Sequence, residues 1–438
     1  MTPPRRKPQD VEVLTFGCRL NLVESEAMRR AALALGRTDL VIINSCAVTS
    51  EAERQLRQAI RRVKRERPEA EIVVTGCAAE IDPTRFAIMP EVSRVIGNAV
   101  KTDPASWARD ACAEMAAAEI MSAKTAPPVL TEGVEDHTRA FLAVQTGCDH
   151  RCTFCIIPFG RGPSRSVPMN EIIEAACRLT ANGFREIVLT GVDLTSYGAD
   201  LAGAPALGEL VKSLLRAAPC LERLRLSSID CIEADADLID AFANEPRLMP
   251  HLHLSLQSGD DLILKRMKRR HLRADAIKLC AGLRRRRPNI VFGADIIAGF
   301  PTETDAMFEN TLALIAECGL THLHVFPYSA RPGTPAAKMP PVAPEIVKGR
   351  AKRLRETGNA AVRKHLDAQT GKTFRVLTER GGTGRTEDFT RVKFGAVPPS
   401  LMIDMVIAGN DGTMLEARGQ ITSMQARARR QTLPPLGP

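Results

Sequence analysis

Three cysteines stand close together in the stretch QTGCDHRCTFCIIPFGRG, which covers residues 145–162. Cys148, Cys152 and Cys155 have the spacing C-x-x-x-C-x-x-C. A structural zinc site needs four ligands, and His150 is a candidate fourth, but such sites usually pair a C-x-x-C with a second pair that this sequence lacks. Three thiolates instead suit three corners of a 4Fe-4S cluster and leave the fourth iron open to a small molecule.

A second set of three cysteines is spread over the first hundred residues. Strand and helix candidates alternate there, which predicts a parallel sheet covered by helices. Cys18, Cys46 and Cys77 each come directly after a separate strand candidate, in FGC, NSC and TGC. Because the carboxyl ends of parallel strands lie at one edge of a sheet, we expect these three thiols to converge there.

The alternation of strands and helices resumes at residue 139. Six strand candidates, the first five each followed by a helical stretch, predict a partial (β/α)6 barrel. They are FLAVQTG, EIVLTGV, LERLRLSSI, HLHLSLQS, IVFGADIIAGF and THLHVFPYS. The Cys148 loop follows the first of them, at the carboxyl end where such barrels hold their chemistry.

The last part of the chain has a different pattern. After a long charged helix candidate at about 344–369, short β-rich runs separated by Gly, Asn-Asp-Gly and Pro predict a small antiparallel β-barrel, of a kind that often binds RNA. The fold class is therefore α/β with an added barrel. The predicted parts are an N-terminal parallel α/β sheet domain at 10–106, a linker at 107–137, the partial barrel at 138–369, the small barrel at 370–426 and a disordered tail at 427–438.

The composition points to a cytoplasmic protein with an acidic partner. The net charge of +9 favours nucleic acid as that partner. No apolar run approaches the roughly 18 residues that a membrane span needs, and the basic N-terminus lacks the apolar stretch of a secretory signal. In a reducing cytosol the cysteines are not expected to form disulfides. Outside the two trios, six cysteines are assigned to packing: Cys112, Cys177, Cys220, Cys231, Cys280 and Cys318.

These motifs together resemble the radical S-adenosylmethionine (SAM) superfamily. Besides the three-cysteine loop, TGV at 190–192, RLSSID at 225–230, HLSLQSG at 253–259 and ADIIAGFPTET at 294–304 are similar to the strand-end motifs that hold SAM there. The resemblance implies that SAM binds the open iron of a reduced cluster, which cleaves it to a radical. It also implies a set of cofactor-binding residues, here Gly191, Ser227, Gln257, Ile297, Gly299 and Tyr328.

The order of the parts narrows the resemblance to the methylthiotransferase family, whose small C-terminal barrel is of the TRAM type. In that family the N-terminal trio, here Cys18, Cys46 and Cys77, binds an auxiliary 4Fe-4S cluster connected with the inserted sulfur. The implied activity replaces C–H by C–S–CH3, with SAM as methyl donor and radical source. FGCRLNLVESE, INSCAVTSEAERQ and TGCAAE most resemble the branch that modifies C2 of N6-threonylcarbamoyladenosine at position 37 of tRNA.

Other substrates and one other class of function stay open at this point. Two related branches modify N6-isopentenyladenosine in tRNA or an aspartate of a small-subunit ribosomal protein, and NLVESE at 21–26 is closer to the latter. The alternative of another class is a non-catalytic RNA-binding protein that holds zinc or a structural cluster.

The enzyme interpretation also implies partners and substrate contacts. The partners would be tRNA, an electron donor and a sulfur source, and no membrane. Arg161 and Arg165 lie just beyond the cysteine loop, and each guanidinium group could hold a phosphate or carboxylate in bidentate geometry. We therefore take both arginines as candidate substrate-binding residues.

Overall fold

The structure is a computed structural model, which describes residues 11–109, 120–126, 133–134 and 137–418. The chain divides into two compact units, Met1–Gly358 and Asn359–Pro438. Parts of the predicted linker, the end of the predicted small barrel at 419–426, the predicted tail at 427–438 and Cys112 lie outside the described residues. The domain boundaries proposed from the sequence stay predictions.

The first part of the chain folds into a parallel sheet covered by helices. Its strands are β1 (Glu12–Thr15), β2 (Leu40–Ser45), β3 (Glu71–Gly76) and β4 (Arg94–Ile96). Its helices are α1 (Arg19–Ala34), α2 (Ser50–Glu66), α3 (Cys77–Ile81) and α4 (Pro83–Ala87). The strands pair in chain order. Neighbouring residues of β2 enter two separate apolar clusters, one with Leu56 of α2 and one with Met28 of α1, so helices cover both faces of the sheet.

The next eight strands form a partial barrel and a short hairpin. They are β5 (Ala140–Ala143), β6 (Gln145–Thr146), β7 (Arg165–Ser166), β8 (Glu186–Thr190), β9 (Arg223–Leu226), β10 (His251–Gln257), β11 (Val291–Ala298) and β12 (Leu320–Pro327). Strands β5, β8 and β9 form one parallel sheet, and β10, β11 and β12 form another. Isolated parallel bridges from Leu224 to Leu248 and from Ile229 to Leu254 join the two. Within the described residues β5 and β12 are not paired, so the barrel is open on one side.

Helices follow the barrel strands as the sequence predicts. They are α5 (Ile157–Arg161), α6 (Met169–Ala181), α7 (Leu207–Ala217), α8 (Ala236–Asn244), α9 (Asp261–Arg266), α10 (Arg273–Arg286), α11 (Asp305–Cys318) and α12 (Pro344–Asp367). Short 3-10 helices occupy Pro104–Trp107, Ile120–Ser122, Leu194–Ser196 and Pro335–Lys338. On β10, Leu252 and Leu254 pack in the main apolar cluster with the helices, so the alternate residues His251 and His253 face the barrel interior.

The second unit contains a closed barrel of five short strands. These are β13 (Thr373–Glu379), β14 (Thr383–Arg385), β15 (Arg391–Lys393), β16 (Met402–Asn410) and β17 (Leu415–Arg418). Four of the pairings are antiparallel, but β15 pairs with β17 in parallel, which the predicted antiparallel barrel did not include. Val376, Val392 and Ile407 fill its core.

Among the described helices, none has the length and apolar character that crossing a membrane requires.

Candidate functional site

The Cys148 loop joins the two strands of the β6–β7 hairpin just beyond the carboxyl end of β5. Gly147 has a φ of 74°, and a Cβ there would lie 1.8 Å from the carbonyl oxygen of Pro163, so only glycine lets the two sides of the loop meet. In the middle of the loop, the backbone N–H of Thr153 donates to the carbonyl oxygen of Met267 at 3.0 Å. The loop is therefore fixed at its base and at its centre.

Gln145 connects this loop to the end of β8. Its amide oxygen accepts hydrogen bonds from the backbone N–H groups of Val192 at 3.0 Å and Asp193 at 2.9 Å. Its amide nitrogen donates to the carbonyl oxygen of Gly147 at 2.8 Å. A Cβ at Gly191 would lie 2.9 Å from the same amide oxygen, so a side chain at that position would disturb the connection. Close packing on Gln145 therefore accounts for the glycine at this predicted cofactor position.

The three cysteines of the loop are half-buried. Burial raises the pKa of Cys148, and the carboxylate of Asp193, 3.7 Å from its Sγ, raises it further. Burial also raises the pKa of Cys155 to about 12. The guanidinium of Arg269 lies 3.8 Å from the Sγ of Cys152. A metal cluster that binds Cys148 and Cys155 must therefore displace their thiol protons.

The second trio lies at the carboxyl edge of the first sheet. A Cβ at Gly17, which has a φ of 102°, would lie 2.9 Å from the Sγ of Cys46, so the loop that carries Cys18 contacts Cys46. Burial, together with the neighbouring thiols of Cys77 and Cys18, raises the pKa of Cys46 to about 11. The structure thus brings the three thiols together as the parallel sheet predicts, and their role as cluster ligands stays a prediction.

The two trios face each other where α3 contacts α5. A Cβ at Gly160 on α5 would lie 3.0 Å from the Cβ of Cys77, the first residue of α3. The side-chain amide of Asn98 donates to the carbonyl oxygen of Gly160 and lies 3.8 Å from the Sγ of Cys77. Ile156, the residue after Cys155, packs in the same apolar cluster as Cys77. One helix contact therefore sets the separation of the two trios.

Arg161 and Arg165 do not occupy the predicted position toward a substrate. Arg161 is 3% exposed, and its two terminal nitrogens lie 2.8 and 2.9 Å from the carboxylate of Glu24 on α1. It also donates to the side chain of Asn21. Arg165 is buried and donates to the carbonyl oxygen of Arg161 at 2.6 Å. Both guanidinium groups are bound inside the protein, so they brace the end of the cysteine loop against α1, and we do not assign them to substrate binding.

The residues predicted to hold SAM lie at or just beyond the carboxyl ends of the barrel strands. The hydroxyl groups of Ser227 and Tyr328 are buried and have no hydrogen-bond partner within the described residues. Gln257 has a φ of 69°, a strained value for a residue with a side chain, of the kind found at ligand sites. Buried hydroxyls without partners beside a strained strand end fit a polar small molecule such as SAM, and these assignments stay predictions.

An apolar wall joins the cysteine loop to this rim of the barrel. Phe154, between Cys152 and Cys155, packs edge-on against Phe300 with ring centres 6.3 Å apart, and Phe300 packs against Tyr328 at 5.6 Å. Ile297 belongs to the same cluster. The glycine at 299 has a separate explanation, because a Cβ there would lie 2.5 Å from a methyl group of Val347 on α12.

Comparisons with known proteins address the chain as a whole. The family model of the Radical SAM superfamily matches residues 142–315, and that of Uncharacterized protein family UPF0004 matches residues 10–97. The threonylcarbamoyladenosine tRNA methylthiotransferase MtaB of Rickettsia prowazekii (strain Madrid E) is 48% identical over 382 residues, which cover 87% of this chain and 90% of that protein. The chain belongs to the radical SAM methylthiotransferases. This methylthiotransferase is therefore an enzyme, with SAM and two 4Fe-4S clusters as its cofactors.

Further relatives of the methylthiotransferase are more distant. MtaB of Thermotoga maritima is 35% identical, over 84% of this chain and 86% of that protein. A tRNA-2-methylthio-N(6)-dimethylallyladenosine synthase of Novosphingobium aromaticivorans is also 35% identical, over 87% of this chain and 89% of that protein. Among solved structures, the radical SAM methyltransferase TsrM from Kitasatospora setae has a TM-score of 0.50 at 16% identity and covers 73% of this chain and 68% of its own. That likeness supports the fold alone.

The residues that hold the cysteine loops of the methylthiotransferase in place could not be recognised from the sequence. Gln145, Glu24 and Arg269 each act on a residue that is distant in sequence. One signal was available for Glu24, which stands among residues that α1 buries, since a charged group is rarely buried without a partner. That signal does not reveal where in the chain the partner is.

We expect the acid stability of the methylthiotransferase to depend on Glu24. Burial alone would raise its pKa, but the charges of Arg161 and Lys101 outweigh it and lower the pKa from 4.5 to about 2. A pKa lowered in the folded state stabilises the protein above about pH 4.5, and this contribution is lost as the pH falls toward 2. The shift corresponds to about 3 kcal/mol of the free energy of unfolding.

Urea unfolding of the wild type and of Glu24→Gln at pH values from 7 to 3 measures this contribution. The variant should be less stable at pH 7, because two buried cations lose their carboxylate, and its stability should change less on acidification. Glu69→Gln, which alters an exposed carboxylate, serves as the matched control. If the free energy of unfolding depended equally on pH in the wild type and in Glu24→Gln, the proposed contribution of Glu24 to acid stability would be wrong.

Proposed function

We propose that this enzyme methylthiolates C2 of N6-threonylcarbamoyladenosine at position 37 of tRNA, next to the anticodon. The observation that carries the proposal is the 48% identity to an MtaB protein over 87% of the chain. Identity to the dimethylallyladenosine synthase of Novosphingobium aromaticivorans is lower, at 35%, so we do not favour the isopentenyl substrate. The ribosomal aspartate is not favoured either, since both MtaB proteins and the synthase act on tRNA.

In this proposal the two cysteine trios hold the two clusters. Cys148, Cys152 and Cys155 would hold the cluster that binds SAM, and Cys18, Cys46 and Cys77 would hold the auxiliary cluster. When bound, SAM and the clusters supply radical hydrogen abstraction and sulfur transfer at a C–H bond that is too weak an acid for side-chain bases near neutral pH.

The protein's own residues position these groups and exclude water. Gln145 fixes the start of the cysteine loop relative to the end of β8. The rings of Phe154, Phe300 and Tyr328 form an apolar wall beside the loop, where exclusion of water protects reactive species. The unpartnered hydroxyls of Ser227 and Tyr328 and the strained Gln257 would contact the polar parts of SAM.

The reaction also requires partners other than tRNA. We infer an electron donor, since a 4Fe-4S cluster must be reduced before each cleavage of SAM, and a sulfur source, since each product gains one sulfur atom. The reaction chemistry requires an electron donor and a sulfur source but does not identify either molecule. A tRNA substrate also agrees with the cytoplasmic location expected from the cysteine content.

The five-stranded barrel is our candidate for a further contact with tRNA. Arg391 and Lys393 on β15 are exposed on either side of the buried Val392, so both basic side chains project from one face of the barrel. Such a pair can neutralise phosphates of an RNA backbone.

The role of each trio can be tested separately through iron content. Changing Cys148, Cys152 and Cys155 together to Ala should lower iron from about eight to about four atoms per chain and abolish reductive cleavage of SAM. Changing Cys18, Cys46 and Cys77 should remove the same amount of iron but leave cleavage of SAM in place. Iron is measured after anaerobic reconstitution, with the exposed Cys177→Ala and Cys220→Ala as controls. Zinc in place of iron, or full iron in either triple variant, would refute the assignment.

The substrate can be identified from the tRNA nucleosides of a strain that lacks this gene. We expect mass spectrometry to show loss of the methylthio derivative of threonylcarbamoyladenosine and its return when the gene is restored. The triple variant at Cys148, Cys152 and Cys155 should not restore it. Persistence of that nucleoside together with loss of the methylthio-isopentenyl nucleoside or of the ribosomal aspartate modification would show that the proposed substrate is wrong.

The role of the barrel in tRNA binding can be tested by the salt dependence of the affinity. Changing Arg391 and Lys393 to Ala should weaken binding several-fold at low salt, and the slope of log K against log salt should fall by about 1 for each phosphate that is no longer neutralised. Arg216→Ala, which removes an exposed arginine of α7, is the control. Equal slopes for the double variant and the control would exclude this face of the barrel from the tRNA interface.

A further inference from the structure

The inner side of the partial barrel carries charged and imidazole groups. Arg225 on β9 and Asp295 on β11 lie there with His251, His253 and His324. The leucines at alternate positions of β9 and β10 pack outward against the helices. Such a lining is costly to bury unless the charged groups are paired or bind a ligand of opposite charge.

Arg19 projects into this interior from the start of α1, directly after Cys18. Its guanidinium carbon lies 5.9 Å from the ring centre of Phe141 on β5. Within the part of the chain that the structure describes, Arg19 makes no hydrogen bond and no ion pair. The guanidinium carbon of Arg139 lies 5.9 Å from the same ring centre. The guanidinium of Arg19 is thus held near another cation without an anion paired to it.

Neither carboxylate nearby is available to Arg19. The carboxylate of Glu186 on β8 lies 2.9 Å from Arg225, 3.5 Å from Arg223 and 3.9 Å from Arg139. It is buried, and its one negative charge is shared among three guanidinium groups. It therefore cannot balance a fourth.

Asp295 is occupied by two histidines. One of its oxygens accepts a hydrogen bond from Nε2 of His253 at 3.0 Å and another from Nδ1 of His324 at 3.2 Å. These three side chains together could coordinate a divalent cation, since their ligand atoms lie within 4.8 Å of one another. Glu186 and Asp295 already have other partners, however, and Arg19 has no hydrogen bond or ion pair within the described residues, so its guanidinium favours an anion in this interior. The imidazole of His324 is 59% exposed, so this part of the interior is accessible to a ligand.

We propose that the barrel interior binds the carboxylate of the substrate's threonylcarbamoyl group, with Arg19 as the residue that determines specificity for it. This inference rests on the proposed function. The threonylcarbamoyl group is attached at N6 and ends in a carboxylate, and in the purine ring only N1 separates C2 from the carbon that bears N6. The substrate therefore needs a cation close to the sulfur-inserting centre.

The start of α1 places such a cation close to the sulfur-inserting centre. Cys18, a proposed ligand of the auxiliary cluster, and Arg19 are consecutive residues, so one helix terminus places the cluster and the cation side by side. An isopentenyl chain would leave the half-buried guanidinium without an anion, and a site with an unpaired polar group discriminates strongly against such a ligand.

Anticodon stem-loop RNAs test the inference. One carries threonylcarbamoyladenosine, and the other carries its carboxamide analogue, in which the threonine carboxylate is replaced by a neutral amide. The reconstituted wild type should prefer the carboxylate about ten- to a hundredfold in kcat/KM, the range for a charge-assisted hydrogen bond. Arg19→Gln should lose this preference mainly through KM on the carboxylate RNA, and Arg19→Lys should retain part of it. Arg29→Gln, on the same helix and paired with Glu26, is the matched control.

Iron content and cleavage of SAM are measured on the same samples. Wild-type iron in Arg19→Gln together with loss of the preference supports the inference. Unchanged preference in Arg19→Gln overturns the inference and leaves the proposed function intact. Loss of iron in both Arg19→Gln and Arg19→Lys would assign Arg19 to the cluster, which also overturns it. A wild type that methylthiolates neither RNA, but does modify an isopentenyladenosine RNA, would refute the proposed function and the inference with it.

Discussion

A buried group of charges in the first unit links the N-terminal sheet to the partial barrel. The carboxylate of Glu24 on α1 lies 2.6 Å from Nζ of Lys101, which follows β4, and 2.8 Å from the guanidinium of Arg161 at the end of the Cys148 loop. Taking these groups out of water costs several kcal/mol each, and only their mutual pairing offsets that cost. The partners therefore fit together in one arrangement, and the positions of the Cys148 loop and of α1, which directly follows Cys18, depend on it.

The same arrangement explains why buried polar residues surround the trio of Cys18, Cys46 and Cys77. Asn21 donates to the carbonyl oxygens of Phe16 and Ser45, and so ties the Cys18 loop to the end of β2. The proposed ligands of the auxiliary cluster follow their strands closely, where a parallel sheet leaves backbone groups without ladder partners. The side chain of Asn21 satisfies two of these carbonyls, and it also accepts a hydrogen bond from Arg161.

The positions of both cysteine trios could be predicted because they depend on local sequence patterns. The spacing of Cys148, Cys152 and Cys155 and the position of Cys18 after an apolar strand are visible in short stretches of sequence. The partners of Arg161 could not be predicted, since Glu24 is 137 residues away and its carboxylate turns inward only once α1 packs on β5. Its loop position predicts that Arg161 contacts the substrate, whereas the structure pairs it with Glu24. The parallel pairing of β15 with β17 could not be predicted either, because the direction of pairing depends on the path of the chain between the strands.

The open side of the partial barrel, between β5 and β12, constrains the RNA that can react. A base that is stacked in a helix cannot reach the interior of a protein, so a nucleoside that reacts there must swing out of its stack. Unstacking costs a few kcal/mol and is cheapest where the base has no Watson–Crick partner. A nucleotide in a hairpin loop meets that condition, whereas the same nucleotide in a stem does not. For the proposed function, a site inside the partial barrel would therefore select RNA by its structure, in addition to any recognition of the base itself.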